Sequence, residues 1–254
     1  MLRSLLGAMA LCAGLTATVA PAPALAQAEM DPEERALLRS EVRRYLLEHP
    51  EIIMEAIEVL EARRREAETM ADRDLVARHM EALWNDGFSY VAGNPEGDVT
   101  VVEFLDYNCG FCKRAHDEVR ELIETDPGLR YVVKEFPILG PSSRLAAQAA
   151  LAATMQDEGR RYLAFNDALM SHQGQLSERA VFDYADDVGL DVRRLRQDME
   201  LPEVSERLAQ THGLARALRI EGTPSFVIGG QLVRGYVPLD RMREAVARER
   251  AERG

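Results

Sequence analysis

Positive charge, low-complexity tracts, long apolar runs and cysteine are all in short supply in this chain of 254 residues, and each shortage removes a class of function. Lys and Arg number 31 against 43 Asp and Glu, a net charge of -12. Such a surface repels phosphate backbones and anionic lipid heads, so nucleic acid is not expected as a partner. Gly (17) and Pro (11) stand near ordinary usage with no biased tract, which excludes collagen-like, fibrous and disordered chains. The one apolar run covers residues 5–19, short of the roughly 20 residues that span hydrocarbon. What is present is ordinary for a folded domain: 46% hydrophobic and 29% charged residues, enough for a buried core.

The first 26 residues combine Arg3, that apolar run, Pro21, Pro23 and the small-residue triplet Ala24-Leu25-Ala26. They read as a secretory signal peptide cleaved after Ala26, with no membrane insertion expected afterwards. Cys12 lies inside it, preceded by Leu11 where a lipoprotein signal would want a small residue. Cys109 and Cys112 remain. In an oxidising compartment a structural disulfide normally closes a long loop, and a bridge between these two closes almost nothing. The pair is expected to exist for its chemistry.

Asp31-Pro32-Glu33-Glu34 unites an N-cap, a proline at the first helical position and a carboxylate three residues after the cap, so a helix starts there. Leu38, Val42 and Tyr45, flanked by Leu37 and Leu46, form its apolar stripe. Pro50 ends it, and a second helix carries Ile53, Ile57 and Leu60 at helical spacing. Two such helices must bury their stripes on each other, on the main domain or on another subunit. Residues 61–74 are densely charged, either a solvated helical spacer or the outer face of a packed helix. Helical pattern resumes through Val76, Met80, Leu83 and Trp84 and stops at Asn85-Asp86-Gly87, and a compact domain begins near Ser89.

Residues 99–105 form an almost continuous apolar run, as in a strand buried on both faces. Cys109-Gly110-Phe111-Cys112 follows and opens a helix to residue 126; residues 129–136 make the next strand. Residues 142–218 are helical in pattern, with Leu145, Ala149 and Leu151, then Tyr162, Phe165 and Leu169, then a helix capped by Ser177. Strands return at 225–228 and 231–234 around Gly229-Gly230, and a last helix begins at Leu239. The order is that of an α/β fold with an embedded helical unit.

A Cys-x-x-Cys pair between a buried strand and a helix places the first sulfur at the helix N-terminus, where free N–H groups and the macrodipole favour negative charge. Cys109 is therefore expected to be a stabilised thiolate: lowering its pKa from about 8.5 to about 6 raises the ionised fraction at pH 7 from about 3% to about 90%. Cys112, one turn in, would be the resolving thiol. A zinc site from Cys109, Cys112 and His116 is the competing reading, but structural zinc wants four ligands and no second cysteine pair exists. His116 is expected to be an ordinary surface histidine, and His49, His79, His172 and His212 show no ligand spacing. Glu103 shares a strand face with Val101 and Leu105. Either it is a buried acid of raised pKa that exchanges protons with Cys112, or it solubilises a partly solvated position.

The run Glu103-Phe104-Leu105-Asp106-Tyr107-Asn108-Cys109-Gly110-Phe111-Cys112-Lys113, with Gly222-Thr223-Pro224-Ser225-Phe226-Val227 far downstream, resembles the thioredoxin-fold thiol-disulfide oxidoreductases of the DsbA-like branch. The resemblance implies a thioredoxin fold with an inserted helical subdomain at about 141–218, inside a catalytic domain at 89–254. It also implies a redox-active pair Cys109 and Cys112, a cis Thr223-Pro224 bond, and substrate contacts at Thr223, Pro224, Gly110 and Phe111, with no cofactor and no metal. Tyr45-Leu46-Leu47-Glu48-His49-Pro50-Glu51-Ile52-Ile53-Met54-Glu55-Ala56 is similar to the extension of the suppressor-of-copper-sensitivity C (ScsC-like) group, whose members include trimeric disulfide isomerases. Residues 27–66 would then be a helical oligomerisation segment and 67–88 a helical linker. The resemblance implies a periplasmic homo-oligomer, trimer or dimer, that reshuffles disulfides in cysteine-containing exported proteins and meets a membrane electron-transfer partner of the DsbD or DsbB kind. A monomeric DsbA-type dithiol oxidase is the alternative among enzymes. A copper-sequestering thiol protein and a holdase are the alternatives outside them.

Overall fold

The computed structural model describes residues 30–253; the expected signal peptide, residues 1–26, lies outside them. The chain divides into two compact units between Val59 and Leu60.

In the first unit, helix α1 (Pro32–Glu48) starts as its sequence requires. The Asp31 carboxylate accepts from the N–H groups of Glu33 at 2.8 Å and Glu34 at 2.9 Å, and the Glu34 carboxylate accepts from Asp31 N–H at 3.1 Å. This reciprocal cap satisfies donors that the first turn leaves open. His49 and Pro50 interrupt the helix, and α2 (Glu51–Arg78) follows. None of the described residues of α1 is buried. Leu38, Val42, Leu46, Leu47 and Ile53 line an open apolar groove instead.

In the second unit, the end of α2 and the short α3 (Met80–Trp84) lead into β1 (Tyr90–Gly93), β2 (Val99–Leu105), α4 (Gly110–Thr125) and β3 (Leu129–Glu135). Five helices come next: α5 (Pro141–Thr154), α6 (Tyr162–Ser171), α7 (Glu178–Asp187), α8 (Val192–Met199) and α9 (Pro202–Ala217). The chain closes with β4 (Ser225–Ile228), β5 (Gln231–Arg234) and α10 (Leu239–Arg253). The sheet order is β1-β3-β2-β4-β5, with β2 and β3 parallel and every other pair antiparallel. The β4–β5 turn uses Gly229 at φ +56, where an added Cβ would also collide with Glu249.

All seven residues of β2 are buried, because the sheet is covered on both faces. Val101, Leu105, Tyr131, Val133, Phe226 and Ile228 face one core with α4, α10 and most of the helical insertion. Val102, Phe104, Val132, Val227 and Leu232 face the other, against Leu75, Val76, Leu83, Leu214 and Leu218. The segment expected to be a linker, 67–88, is therefore not a spacer along its whole length. Leu75, Val76 and Leu83 belong to the second core, and Arg234 holds Asp72 through two hydrogen bonds of 2.6 and 2.9 Å. Lys134, buried in the sheet, reaches Asp86 at 2.6 Å and the Ala82 carbonyl at 2.8 Å, so a charge that would be costly alone pins the same segment.

Candidate active site

Cys109 is the N-cap of α4, in extended conformation, with its Sγ accepting from the Cys112 N–H at 3.3 Å. The helix begins there because the Cys109 N–H is already taken by the Asp106 carbonyl at 3.0 Å, which turns the chain out of β2. The Cys109 thiol is pushed down to about 6, first by the hydrogen bond from the Cys112 side chain, then by the Thr223 side chain and the N–H groups of Cys112 and Phe111; burial opposes them. At that value about 90% is thiolate at pH 7. Cys112 is fully buried, and burial drives its thiol far above the ordinary range, with the charges of Glu103 and Cys109 adding to the effect. Both cysteines are free thiols.

The Thr223–Pro224 peptide bond is cis, as the resemblance implied, and the Thr223 carbonyl oxygen lies 3.2 Å from Cys109 Sγ, where it accepts from the sulfur in its protonated form. The two motifs thus meet across a separation of 114 residues. Gly110 and Phe111 lie on the surface, Phe111 being 60% exposed. A Cβ on Gly110 would meet nothing within 4 Å, so no crowding demands glycine there.

Glu103 is buried in β2, where the Tyr131 hydroxyl donates to its carboxylate. Burial raises it to about 7, against the Tyr131 hydrogen bond and the charge of His116, while Cys109 adds to the rise. Glu103 is thus a buried acid of raised pKa and not one that solubilises a partly solvated position. His116 is not the surface histidine expected: half-buried on α4, its Nε2 lies 2.9 Å from Asp167 Oδ1 on α6.

Two further groups carry the site and were not singled out from the sequence. Asp106 accepts from the N–H groups of Asn108 at 2.8 Å, Ile138 at 2.8 Å and Leu139 at 3.0 Å. The Asn108 amide donates to Ser142 and Ser143 at 2.9 and 3.0 Å and accepts from the Leu176 N–H at 3.0 Å, tying the cysteine loop to the insertion. An Asp-x-Asn sequence just before the cysteine is a turn signal that could have marked them. The second group centres on Glu135, buried at the end of β3, which accepts from Tyr107 at 2.8 Å and Tyr162 at 2.6 Å.

A lowered thiol at a helix start beside a buried thiol, an acid and a cis-proline loop is a thiol-disulfide exchange centre in its geometry. Residues 100–247 match the family described as DSBA-like thioredoxin domain. The chain belongs to that family. Residues 34–67 match a second one, described as Copper resistance protein ScsC N-terminal domain. Among solved structures, a thioredoxin-like oxidoreductase from Silicibacter pomeroyi DSS-3 is 49% identical, covers 67% of this chain and 97% of its own, and has a TM-score of 0.65. Proteus mirabilis ScsC in a transitional conformation is 28% identical over 88% of this chain and 100% of its own, with a TM-score of 0.65. Salmonella enterica Typhimurium BcfH is 27% identical over 85% and 96%, with a TM-score of 0.71. Curated relatives also include the Na(+)/H(+) antiporter NhaA 1 of Salinispora arenicola, 33% identical over 159 residues, which are 62% of this chain and 24% of that protein. This chain spans about a quarter of the length of those curated relatives.

Proposed function

We propose that the protein is a periplasmic, oligomeric disulfide isomerase acting on exported proteins, with Cys109 as the attacking sulfur. Its thiolate attacks one sulfur of a wrong substrate disulfide, forming a mixed disulfide and releasing the other substrate sulfur as a thiolate. A second substrate thiolate then displaces Cys109 and leaves the substrate rearranged with no net oxidation. When no such thiolate arrives, Cys112 resolves the adduct. Its proton passes to Glu103, the Cys109–Cys112 bond forms, and the substrate leaves reduced. Thr223, Pro224, Gly110 and Phe111 would form the rim that receives the substrate chain. A membrane thiol-disulfide partner would return the pair to the dithiol. The presence of a periplasmic thioredoxin-like protein from Salmonella enterica among the structural neighbours supports the compartment.

The observation that carries isomerase over oxidase is the apolar stripe of the first unit. Leu38, Val42, Ile53 and Ile57 remain 50, 48, 49 and 43% exposed within a segment that matches the ScsC N-terminal domain. Full burial of such a side chain contributes about 1.5–3 kcal/mol, and half-exposed ones have about half of that left to gain. For the four side chains of each of two subunits this sums to about 6–12 kcal/mol, inside an association cost of about 4–15 kcal/mol, so a core shared by more than two subunits is held more firmly. An oligomer holds a misfolded chain near several thiolates at high effective concentration.

Deleting residues 27–66 tests this reading. Sedimentation should give an oligomer for the chain lacking its first 26 residues and a monomer for the truncation. The truncation should lose reactivation of a scrambled-disulfide substrate and gain oxidation of a dithiol peptide. Equal subunit numbers would overturn the oligomeric isomerase. In the same assay Cys112→Ser should accumulate mixed disulfides, and its failure to do so would remove Cys112 from the resolving role. The same pair offers soft ligands to Cu(I), a reading favoured by the copper-resistance description of the N-terminal family; Cu(I) stoichiometry that depends on both sulfurs would support it.

A further inference from the structure

The proposed exchange reaction uses one buried acid, Glu103, yet the structure contains a second, Glu135. Glu135 and Glu103 lie on adjacent parallel strands, with Glu103 opposite Val133 and Leu105 opposite Glu135, so the two carboxyls share one face of the sheet two rungs apart. That face also carries Cys112 in its core. Glu135 uses one oxygen for two donors, the hydroxyls of Tyr107 and Tyr162, and the Asn166 amide in turn donates to Tyr107 at 3.0 Å. Its other oxygen, Oε2, has no hydrogen-bond partner among the described residues. The two hydroxyl donors stabilise negative charge on one oxygen of Glu135, while the other oxygen is buried with no donor to serve it. A buried carboxylate would need both oxygens served.

The groups around the pair leave little to favour two charges. Glu135 is faced by Tyr107 and Asp106 from the loop after β2, Glu103 from β2 and Tyr162 from α6, whose ring stacks on Tyr90 of β1. Glu103 is faced by Tyr131 from β3 and by Cys109, Cys112 and His116 from α4. Only His116 can be cationic among these, and its ring is paired with Asp167. Burial pushes Glu135 up to about 8, against the hydrogen bonds from Tyr162 and Tyr107 and with smaller additions from the charges of Asp106 and Glu103, and burial pushes Glu103 up to about 7. Two acids that interact on one face of a sheet lose their protons in macroscopic steps that belong to the pair.

We propose that Glu135 is a positioning residue of the exchange reaction: held by Tyr107 and Tyr162, it shares a single negative charge with Glu103 and so sets the pH range over which Glu103 can take the Cys112 proton. The proposal rests on the reading that Glu103 serves Cys112. Protons balance through the step. Ionised Glu103 accepts the proton of Cys112 as that sulfur attacks the mixed disulfide, and Glu135 keeps its own. When Glu135 ionises as well, the second charge raises the affinity of Glu103 for its proton and spreads the profile.

Single-turnover resolution of a mixed disulfide between Cys109 and a small thiol, followed against pH from 5 to 10, tests this. The full chain should give a profile with two inflections. Glu135→Gln, which keeps the acceptor for both tyrosines, should give one inflection, displaced to lower pH, with Cys109 alkylation unchanged. Tyr162→Phe, which removes one donor from Glu135, should move the upper inflection to higher pH and leave the lower one in place. Carboxyl 13C NMR of glutamate-labelled protein should show two coupled titrations in the full chain and one in Glu135→Gln. Coincident profiles for the full chain, Glu135→Gln and Tyr162→Phe would overturn the proposal and leave Glu135 a structural tie. If Glu135→Gln does not fold, Tyr162→Phe and the NMR titration of the full chain decide alone, and a single uncoupled step there overturns it. Failure of the underlying reading looks different: Glu103→Gln would then resolve the mixed disulfide with an unchanged pH profile.

Discussion

Helix α1 and strand β2 are both rich in apolar side chains and have opposite fates. None of the seventeen residues of α1 is buried, while all seven of β2 are. Helix α1 is complete as a hydrogen-bonded object, capped at Asp31, and its apolar side chains are surplus to that requirement. Strand β2 has no existence outside its sheet, since its backbone groups are paired by β3 and β4 and its side chains fill two cores. Exposed apolar surface on a self-sufficient helix is left available for contact, whereas buried apolar surface on a strand serves the fold.

Substitutions can break that contrast. The largest effect is expected at Phe104, fully buried and edge-on to Phe136 at 6.0 Å. Phe104→Ala should lower unfolding free energy by about 3–5 kcal/mol in urea titrations. Next comes Glu103, where the sign is the opposite. Its folded value, about 7, lies above the ordinary 4.5, so its contribution is complete below about pH 4.5 and is lost as pH rises through 7. Glu103→Gln should remove that loss, leaving the variant more stable than the parent by about 3 kcal/mol at pH 8 and equal to it at pH 4. A variant less stable at pH 8 would mean that the carboxylate is held by groups that favour its charge. The smallest effect is expected at Leu38, where Leu38→Ala should change the unfolding free energy of a single subunit by less than about 0.5 kcal/mol while lowering the mass in solution. A large loss of subunit stability there would place α1 with the fold and erase the contrast.

The sequence was most readable where local chemistry forces structure. Asp31-Pro32-Glu33-Glu34 announced the start of α1 and Gly229-Gly230 the β4–β5 turn, and both stand where expected. Strand–Cys-x-x-Cys–helix order alone implied the lowered thiol at Cys109, because a helix start presents N–H groups whatever surrounds it. The meeting of Cys109 with Thr223 came from the resemblance, since spacing cannot carry a contact across 114 residues. Glu135 and His116 were illegible for the same reason. A glutamate ending a strand and a histidine on a helix look like solvent-facing residues until Tyr162 and Asp167, 27 and 51 residues away, are folded against them. Strand β1 has four residues and one buried side chain, too short a stretch for alternation to register.

The strand order places β4 beside β2, and this has a bearing on how the protein comes into being. The chain is made from its N-terminus, so β2 and β3 are available long before their last neighbour. Until residues 225–228 arrive, one edge of the central strand is unpaired and Cys109 stands without the Thr223 carbonyl that lies 3.2 Å from it in the finished fold. Such long-range closure is slow. The sulfur at position 109 therefore acquires its full surroundings only once β4 has paired, and until then it is the least constrained part of the centre it belongs to.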